Sequence, residues 1–202
     1  MRRSIILCNF VQYFEHHFMV RPIYLYGNPI LKTKAKVIDA NYSNLPELIK
    51  DMYDTMYYAK GVGLAAPQIG LSVRLFILDT SPFYEDEKKG ENNAIKKIFI
   101  NPIVLEEFGQ DWPFEEGCLS IPGINAEVIR TSHIKLQYQD ENFQTHIEVF
   151  DEINARVIQH EFDHIEGILF IQKINPMRRQ LLNGKLNKIK KAQIETKYPV
   201  KI

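Results

Sequence analysis

Cysteine is scarce in this sequence of 202 residues, and the two that occur exclude a disulfide framework and fit a reducing compartment. No apolar run approaches the roughly 18 residues that a membrane-spanning helix needs. An excess of charge of either sign is also missing, because 25 basic side chains stand against 25 acidic ones. Neutrality argues against a protein whose whole surface binds nucleic acid. We therefore expect an ordinary globular protein of the cytoplasm, with neither a membrane nor DNA as a partner.

The neutral total hides an uneven distribution of charge. Residues 173–202 contain nine basic side chains and one acidic one, whereas the other 172 residues contain 16 basic and 24 acidic ones. A last helix is predicted to begin near Pro176, because proline suits the first turn of a helix. The simpler interpretation of this basic segment, residues 176–202, is a solvated helix and tail, and the alternative is a local contact with nucleic-acid phosphates.

The first eighteen residues have a basic start and an apolar stretch, which is the outline of a targeting segment. Polar residues at Asn9, Gln12 and Glu15 interrupt the stretch, and no small-residue cleavage site follows, so a secretory signal is not indicated. We expect residues 1–18 to be a dispensable extension before a natural start at Met19. The domain proper is then residues 19–175.

Hydrophobic spacing predicts a short series of elements, which are listed here in chain order. They are a helix at 45–59, a buried strand at 74–79, a polar surface loop at 81–97, an irregular or edge strand at 98–105, a hairpin of 134–139 with 145–150, and a helix at 154–165. Strands that surround a central helix without regular strand–helix alternation predict an α+β fold.

The strongest chemical signal is HEFDH at residues 160–164, within a predicted helix. Histidines four residues apart lie on one face of a helix, so His160 and His164 can bind the same metal ion. The carboxylate of Glu161, beside the first ligand, can reach a water held by that ion and take its proton. Chance gives this pattern on the order of once per hundred such sequences, so a metal site is the stronger interpretation.

Two histidines need a third protein ligand, with a further position open for water. A metzincin protease would have a third histidine six residues after His164, where this chain has Phe170. A thermolysin-like protease would use a downstream glutamate, but Glu166 is too close on the same helix and Glu195 lies in the lysine-rich tail. Cys118, in EEGCLS, is the remaining candidate, although a lone cysteine is often just a small buried hydrophobic residue.

A third motif, GVGLAAPQIG at residues 61–70, is weaker on chemistry alone. Its two glycines allow close approach of backbone to a ligand, and Gln68 offers an amide donor that could stabilise an oxyanion. The motif lacks the spacing and the lysine of a phosphate-binding loop.

Together and in this order, GVGLAAPQ, EEGCLS and HEFDH resemble the three signature motifs of the peptide deformylase family. The similarity runs from about Pro22 to Pro176 and includes GNPIL at 27–31, IPG at 121–123 and Arg130. It implies an α+β fold in which antiparallel strands pack around a central helix bearing HExxH, plus a C-terminal helix as in bacterial members. It also implies hydrolysis of the formyl amide of N-formylmethionyl nascent peptides.

The resemblance assigns roles to individual residues. Cys118, His160 and His164 would bind one divalent ion, Fe²⁺ in the first place, with zinc, nickel or cobalt able to replace it. Glu161 would be the general base that later returns a proton to the leaving amine. Seven further residues would contact substrate: Gln68 (side-chain amide) and Leu119 (backbone N–H) at the oxyanion, Val62, Gly63 and Gly117 along the groove, and Ile153 and Val157 in the methionine pocket.

Two positions depart from the family pattern and bear on peptide preference rather than on the chemistry. They are Asn125, where many members have arginine, and Arg156, where some have an apolar pocket residue.

Members with a C-terminal helix dock on the ribosome, so the basic segment 176–202 makes the ribosome a candidate partner. Two alternatives are a metallopeptidase with another third ligand and an inactive homologue that only binds. His133 and His146 are expected to be structural.

Overall fold

The computed structural model describes residues 18–84 and 93–202, so residues 1–17, with Cys8, and the middle of the polar loop lie outside it. The described helices are α1 (Leu45–Tyr58), α2 (Glu152–Ile165) and α3 (Pro176–Lys190). The described strands are β1 (Ile23–Tyr24), β2 (Gly63–Ala65), β3 (Leu75–Asp79), β4 (Lys96–Glu116), β5 (Ala126–Gln139), β6 (Thr145–Asp151) and β7 (Val200–Lys201). No helix among these residues is long and apolar enough to cross a bilayer.

Helix α2 is the centre of the fold. It contacts strands β2, β3, β5 and β6, and 11 of its 14 residues are buried. The buried set includes Glu161, Asp163 and His164 as well as apolar residues. Polar side chains in an interior need partners or a ligand, because burying them without either costs free energy. The polar residues of α2 therefore mark the place where a functional site is expected.

The sheet confirms the predicted α+β fold. Five strands pair antiparallel in the order β2-β3-β4-β5-β6. Aromatic side chains of neighbouring strands form its core, with Phe99 stacked on Phe76 at 4.7 Å between ring centroids and tilted against Tyr138 at 4.5 Å. The apolar face of the sheet that contains these rings covers α2 on one side.

The strands β4 and β5 are much longer than their hydrophobic patterns predict. The predicted strand 98–105 begins at Lys96, within the predicted loop, and continues to Glu116, while its partner begins at Ala126 instead of 134. Register shifts interrupt the pairing at three places, which breaks the alternation on which the prediction depends. One shift contains Gly109, with φ of +89°, where an added Cβ atom would collide with Oγ of Ser132.

The long ribbon returns to α2 at its far end, and this positions the predicted third ligand. Strand β4 ends at Glu116, directly before Gly117 and Cys118. A tight turn follows, in which Ile121 N–H donates to Cys118 O at 2.9 Å. The chain then enters β5 at Ala126, so the cysteine loop lies beside α2 although more than forty residues separate it from His160.

Helix α3 begins at Pro176, as predicted, and Asn175 caps it by accepting from Met177 N–H at 2.9 Å. Leu186 and Ile189 attach the helix to the core, while its basic side chains are exposed. The chain then turns back, and β7 pairs in parallel with β1. The segment after α3 therefore packs on the main body of the protein.

Candidate metal and substrate site

Cys118, His160 and His164 form the one cluster of potential metal ligands found in the described residues. Their ligand atoms all lie within 4.8 Å of one another, and Sγ of Cys118 is 3.2 Å from Nε2 of His164. Around a tetrahedral ion, bonds of about 2.3 Å to sulfur and about 2.0 Å to nitrogen put these two atoms roughly 3.5 Å apart. The donor set and its spacing therefore fit a transition-metal ion.

The imidazole of His160 is oriented by a carboxylate that the sequence analysis did not single out. Nδ1 of His160 donates to Oε2 of Glu116 at 2.9 Å, which leaves Nε2 for a metal. Burial lowers the pKa of His164 well below its usual value, so this imidazole stays neutral as a ligand must be. Both histidines are thus prepared to bind through Nε2.

Glu116 belongs to a buried network of ion pairs. Its Oε1 accepts from Arg130 Nε at 2.7 Å and from Arg156 Nη1 at 3.0 Å, and Arg130 also donates to Asp163 at 2.6 Å. Burial by itself raises the pKa of Glu116, but the hydrogen bonds from His160 and Arg130 outweigh it and hold the pKa well below its usual range. The sequence signals for this network were the acidic pair preceding Cys118, the resemblance at Arg130 and the departure from the family pattern at Arg156.

Glu161 is 4% exposed, and its Oε2 has no hydrogen-bond partner within the described residues. Desolvation by burial raises the pKa of this carboxyl to about 7, against the opposing effect of His160. A Cβ at position 63 would collide with Oε1 of Glu161, so Gly63 is required for the close approach of β2 to this side chain. A carboxylate with a pKa near neutrality can exchange protons at physiological pH.

The side-chain amide of Gln68 is held in one orientation. Its Oε1 accepts from the backbone N–H of Ala65 at 2.8 Å, so the nitrogen must face the cysteine loop. Nε2 lies 3.3 Å from Oγ of Ser120 and 3.6 Å from Sγ of Cys118. The amide group is therefore a donor directed at the cysteine loop of the metal cluster.

A cavity of about 510 Å³ opens beside these groups. The predicted site residues that line it are Val62, Gly63, Gln68, Gly117, Cys118, Leu119, Ile153, Val157, His160 and Glu161. His164 lies behind the lining, 1% exposed, and reaches the cluster through Cys118. The structure thus brings all of the predicted site residues together around one cavity.

Several lining residues were not predicted for the site. Arg156, noted only as a departure from the family pattern, lines the cavity and is almost wholly buried. Phe114 lies under its guanidinium, and Tyr198 enters from the C-terminal tail. By contrast, His133 stacks on Phe108 and His146 pairs with Asp140, away from the cluster.

Comparisons with known proteins agree with this geometry. A family model described as Polypeptide deformylase matches residues 20–180. The peptide deformylase of Christiangramia forsetii is 49% identical, with 91% of this chain and 96% of that protein covered, and that of Cytophaga hutchinsonii is 46% identical, with 91% and 97% covered. The structure of the Thermus thermophilus enzyme superposes with a TM-score of 0.76 at 37% identity, covering 86% of this chain and 99% of that one.

Proposed function

The chain belongs to the peptide deformylase family and is a metal-dependent hydrolase that removes the formyl group from N-formylmethionyl polypeptides, and from this premise we propose which of its residues carry out the reaction. Cys118, His160 and His164 hold the metal ion. Glu161 is the general base and acid. The observation that carries the assignment is a buried carboxylate oxygen on Glu161 that has no hydrogen-bond partner among the described residues and lies beside a cluster of one thiol and two imidazoles.

We propose Fe²⁺ as the ion, with zinc, nickel and cobalt as possible replacements in purified protein. A thiolate and two neutral imidazoles leave a divalent ion with one unit of net positive charge, which makes a separate base necessary. Such an ion supplies Lewis acidity and lowers the pKa of water. Bound beside the Cys118 thiolate, a ferrous ion would also make the enzyme sensitive to oxygen.

Glu161 takes a proton from the attacking water and returns it to the amine that leaves. Before the amine leaves, the water oxygen bonds to the formyl carbon and negative charge develops on the formyl oxygen, where the amide of Gln68 and the backbone N–H of Leu119 donate. The fixed orientation of Gln68 supports this role, because a donor that is already aligned needs no reorganisation during the reaction.

The substrate lies extended along Val62, Gly63 and Gly117, where backbone can approach backbone. Ile153 and Val157, on the cavity side of α2, accept the methionine side chain. Apolar lining with a few convergent polar groups is typical of small-ligand sites, and it suits a substrate with one apolar side chain and one polar reacting group.

The experiment that tests the assignment measures formate release from a formyl-methionyl tripeptide, using protein purified without oxygen. We expect formate from the wild-type protein, with both peptide bonds intact. Glu161→Ala should keep its metal and lose turnover by about three orders of magnitude or more. Glu127→Ala removes an exposed carboxylate and is the matched control.

Three outcomes would contradict the proposal. Cleaved peptide bonds without formate would identify a metallopeptidase, which is the main alternative. Full metal occupancy with no hydrolysis of either bond would identify an inactive homologue that only binds its ligand. Unchanged turnover in Glu161→Ala would remove Glu161 from the mechanism.

We further propose that residues 19–175 are the catalytic domain and that residues 1–18 are dispensable.

For the basic segment 176–202, we propose a contact with ribosomal RNA in the cytoplasm. Exposed Arg178, Arg179 and Lys185 on α3 support the contact. Pelleting with ribosomes should weaken steeply with salt and on changing these three residues to glutamate, with formate release unchanged. Equal pelleting by that variant would contradict the contact, and Lys32→Glu with Lys36→Glu is the control.

A further inference from the structure

The C-terminal tail contributes the side chain of Tyr198 to the cavity. The ring of Tyr198 lines the cavity, and its hydroxyl donates to the backbone carbonyl of Leu119 at 2.8 Å. Burial raises the pKa of this phenol to about 12, so the hydroxyl remains a donor at any physiological pH. Tyr198 therefore contacts the residue whose N–H is proposed to stabilise the oxyanion.

The tail that contains Tyr198 is anchored on both sides of it. Ile23 N–H donates to Pro199 O at 2.9 Å, and Leu25 N–H donates to Lys201 O at 2.8 Å. Ahead of Tyr198, Ile194 packs against the core cluster that includes Ile189 of α3. These attachments keep the ring at the cavity although the tail has little regular structure.

The loop that contains Cys118 and Leu119 is held by this tail and by the start of the chain. Tyr26 N–H donates to Ser120 O at 2.8 Å, and the Tyr198 hydroxyl donates to Leu119 O. Two consecutive carbonyls thus have fixed directions. The Leu119 N–H lies in the same peptide plane as the Cys118 carbonyl, which accepts from Ile121 N–H at 2.9 Å. Because the carbonyl on the other side of Leu119 is held by Tyr198, the backbone is fixed on both sides of this residue, and its N–H keeps one direction.

We propose that Tyr198 is a positioning and specificity residue of the deformylase site. Its hydroxyl aligns the Leu119 N–H with the developing oxyanion, and its ring forms the wall of the groove for substrate residues that follow methionine. The inference rests on the proposed function of Leu119. It also makes the C-terminal tail part of the catalytic unit, in addition to any role of helix α3.

Two substitutions separate the two parts of the proposal. Tyr198→Phe removes the hydroxyl and keeps the ring, so we expect kcat to fall about five- to tenfold with little change in KM, because the lost interaction acts in the transition state. Tyr198→Leu also removes the ring and should raise KM for a formyl-methionyl tripeptide more than for the dipeptide. Tyr58→Phe, at an exposed tyrosine, is the control.

Metal content and thermal unfolding are measured on each variant. A purely structural role would lower metal content or Tm and would affect dipeptide and tripeptide alike, and that result would overturn the proposal. A kcat of Tyr198→Phe within about twofold of the wild type would also overturn it. A wild-type protein that releases no formate would contradict the proposed function itself, whereas an active wild type with an equally active Tyr198→Phe would contradict only this inference.

Discussion

Nδ1 of His160 donates to the carboxylate of Glu116 across 2.9 Å, and this hydrogen bond links the central helix to the end of strand β4. Glu116 is two residues from Cys118, so two of the three proposed metal ligands depend on the same short segment of backbone. The carboxylate is in turn fixed by Arg130 and Arg156. Residues of the buried core therefore fix the orientation of His160 and the end of β4 from which Cys118 follows.

Glu116→Gln should weaken metal binding about 10- to 100-fold, because an amide cannot orient His160 and satisfy two guanidinium groups equally well. The measurement is competition for the metal with a chromophoric chelator. Glu107→Gln, at an exposed position on the same strand, should retain wild-type affinity. Equal affinities in the two variants would show that Glu116 does not orient the ligand.

Gln68→Glu should lower kcat by about 10²- to 10³-fold while KM changes little. The new carboxylate can still accept from Ala65 N–H, as Gln68 does at 2.8 Å, so the local fold is kept. It replaces the donor, however, with a negative charge that faces the oxyanion. Steady-state formate release measures both constants, and Gln144→Glu, at an exposed position, is the control. A kcat close to that of the wild type would exclude the amide from oxyanion stabilisation.

His160 and His164 could be found from the sequence because spacing on a helix fixes geometry: HEFDH can place two imidazoles together by local structure alone. Cys118 lies outside that helix, and only the resemblance of its motif to the family assigned it as a ligand. Glu116 and Tyr198 could not be found in this way. Glu116 reaches His160 only because a ribbon of irregular register turns back to α2, and Tyr198 reaches Leu119 only through a parallel strand pair at the two ends of the described chain. Long-range pairings of this kind leave no periodic signal in a sequence.

Arg156→Lys should destabilise the protein by about 2–4 kcal/mol, because lysine cannot replace a planar guanidinium that serves several acceptors. Arg156 donates to the carbonyls of Trp112 and Val128 and lies over the Trp112 ring at 5.1 Å. Urea unfolding measures the loss. Trp112 is the only tryptophan of the chain, so its fluorescence should also change in the folded state. Arg178→Lys, on the exposed side of α3, should change neither quantity, and a similar response in both variants would contradict this role of Arg156.

Glu166, just after α2, connects the end of the HEFDH helix to two other segments. Arg74 donates to its Oε1 at 2.5 Å, and Lys34 lies 2.7 Å from its Oε2. Burial alone raises the pKa of Glu166, but the hydrogen bonds from Lys34 and Arg74 outweigh it, so the pKa is lower in the folded protein than in the unfolded chain. A carboxyl with a lowered pKa stabilises the fold while it is ionised.

Glu166→Gln should therefore destabilise the protein by about 1 kcal/mol at neutral pH, because the pairs are partly screened by solvent. The sign of the pH dependence follows from linkage: the contribution of Glu166 is complete above its unfolded pKa of about 4.3 and disappears as pH falls through the lower folded pKa. The difference in unfolding free energy between wild type and variant should thus be constant from about pH 8 to pH 5 and shrink below about pH 4. Urea titrations of the metal-free proteins across this range measure it. A difference that stays constant down to about pH 3 would mean that the ionised carboxylate contributes nothing beyond its hydrogen bonds.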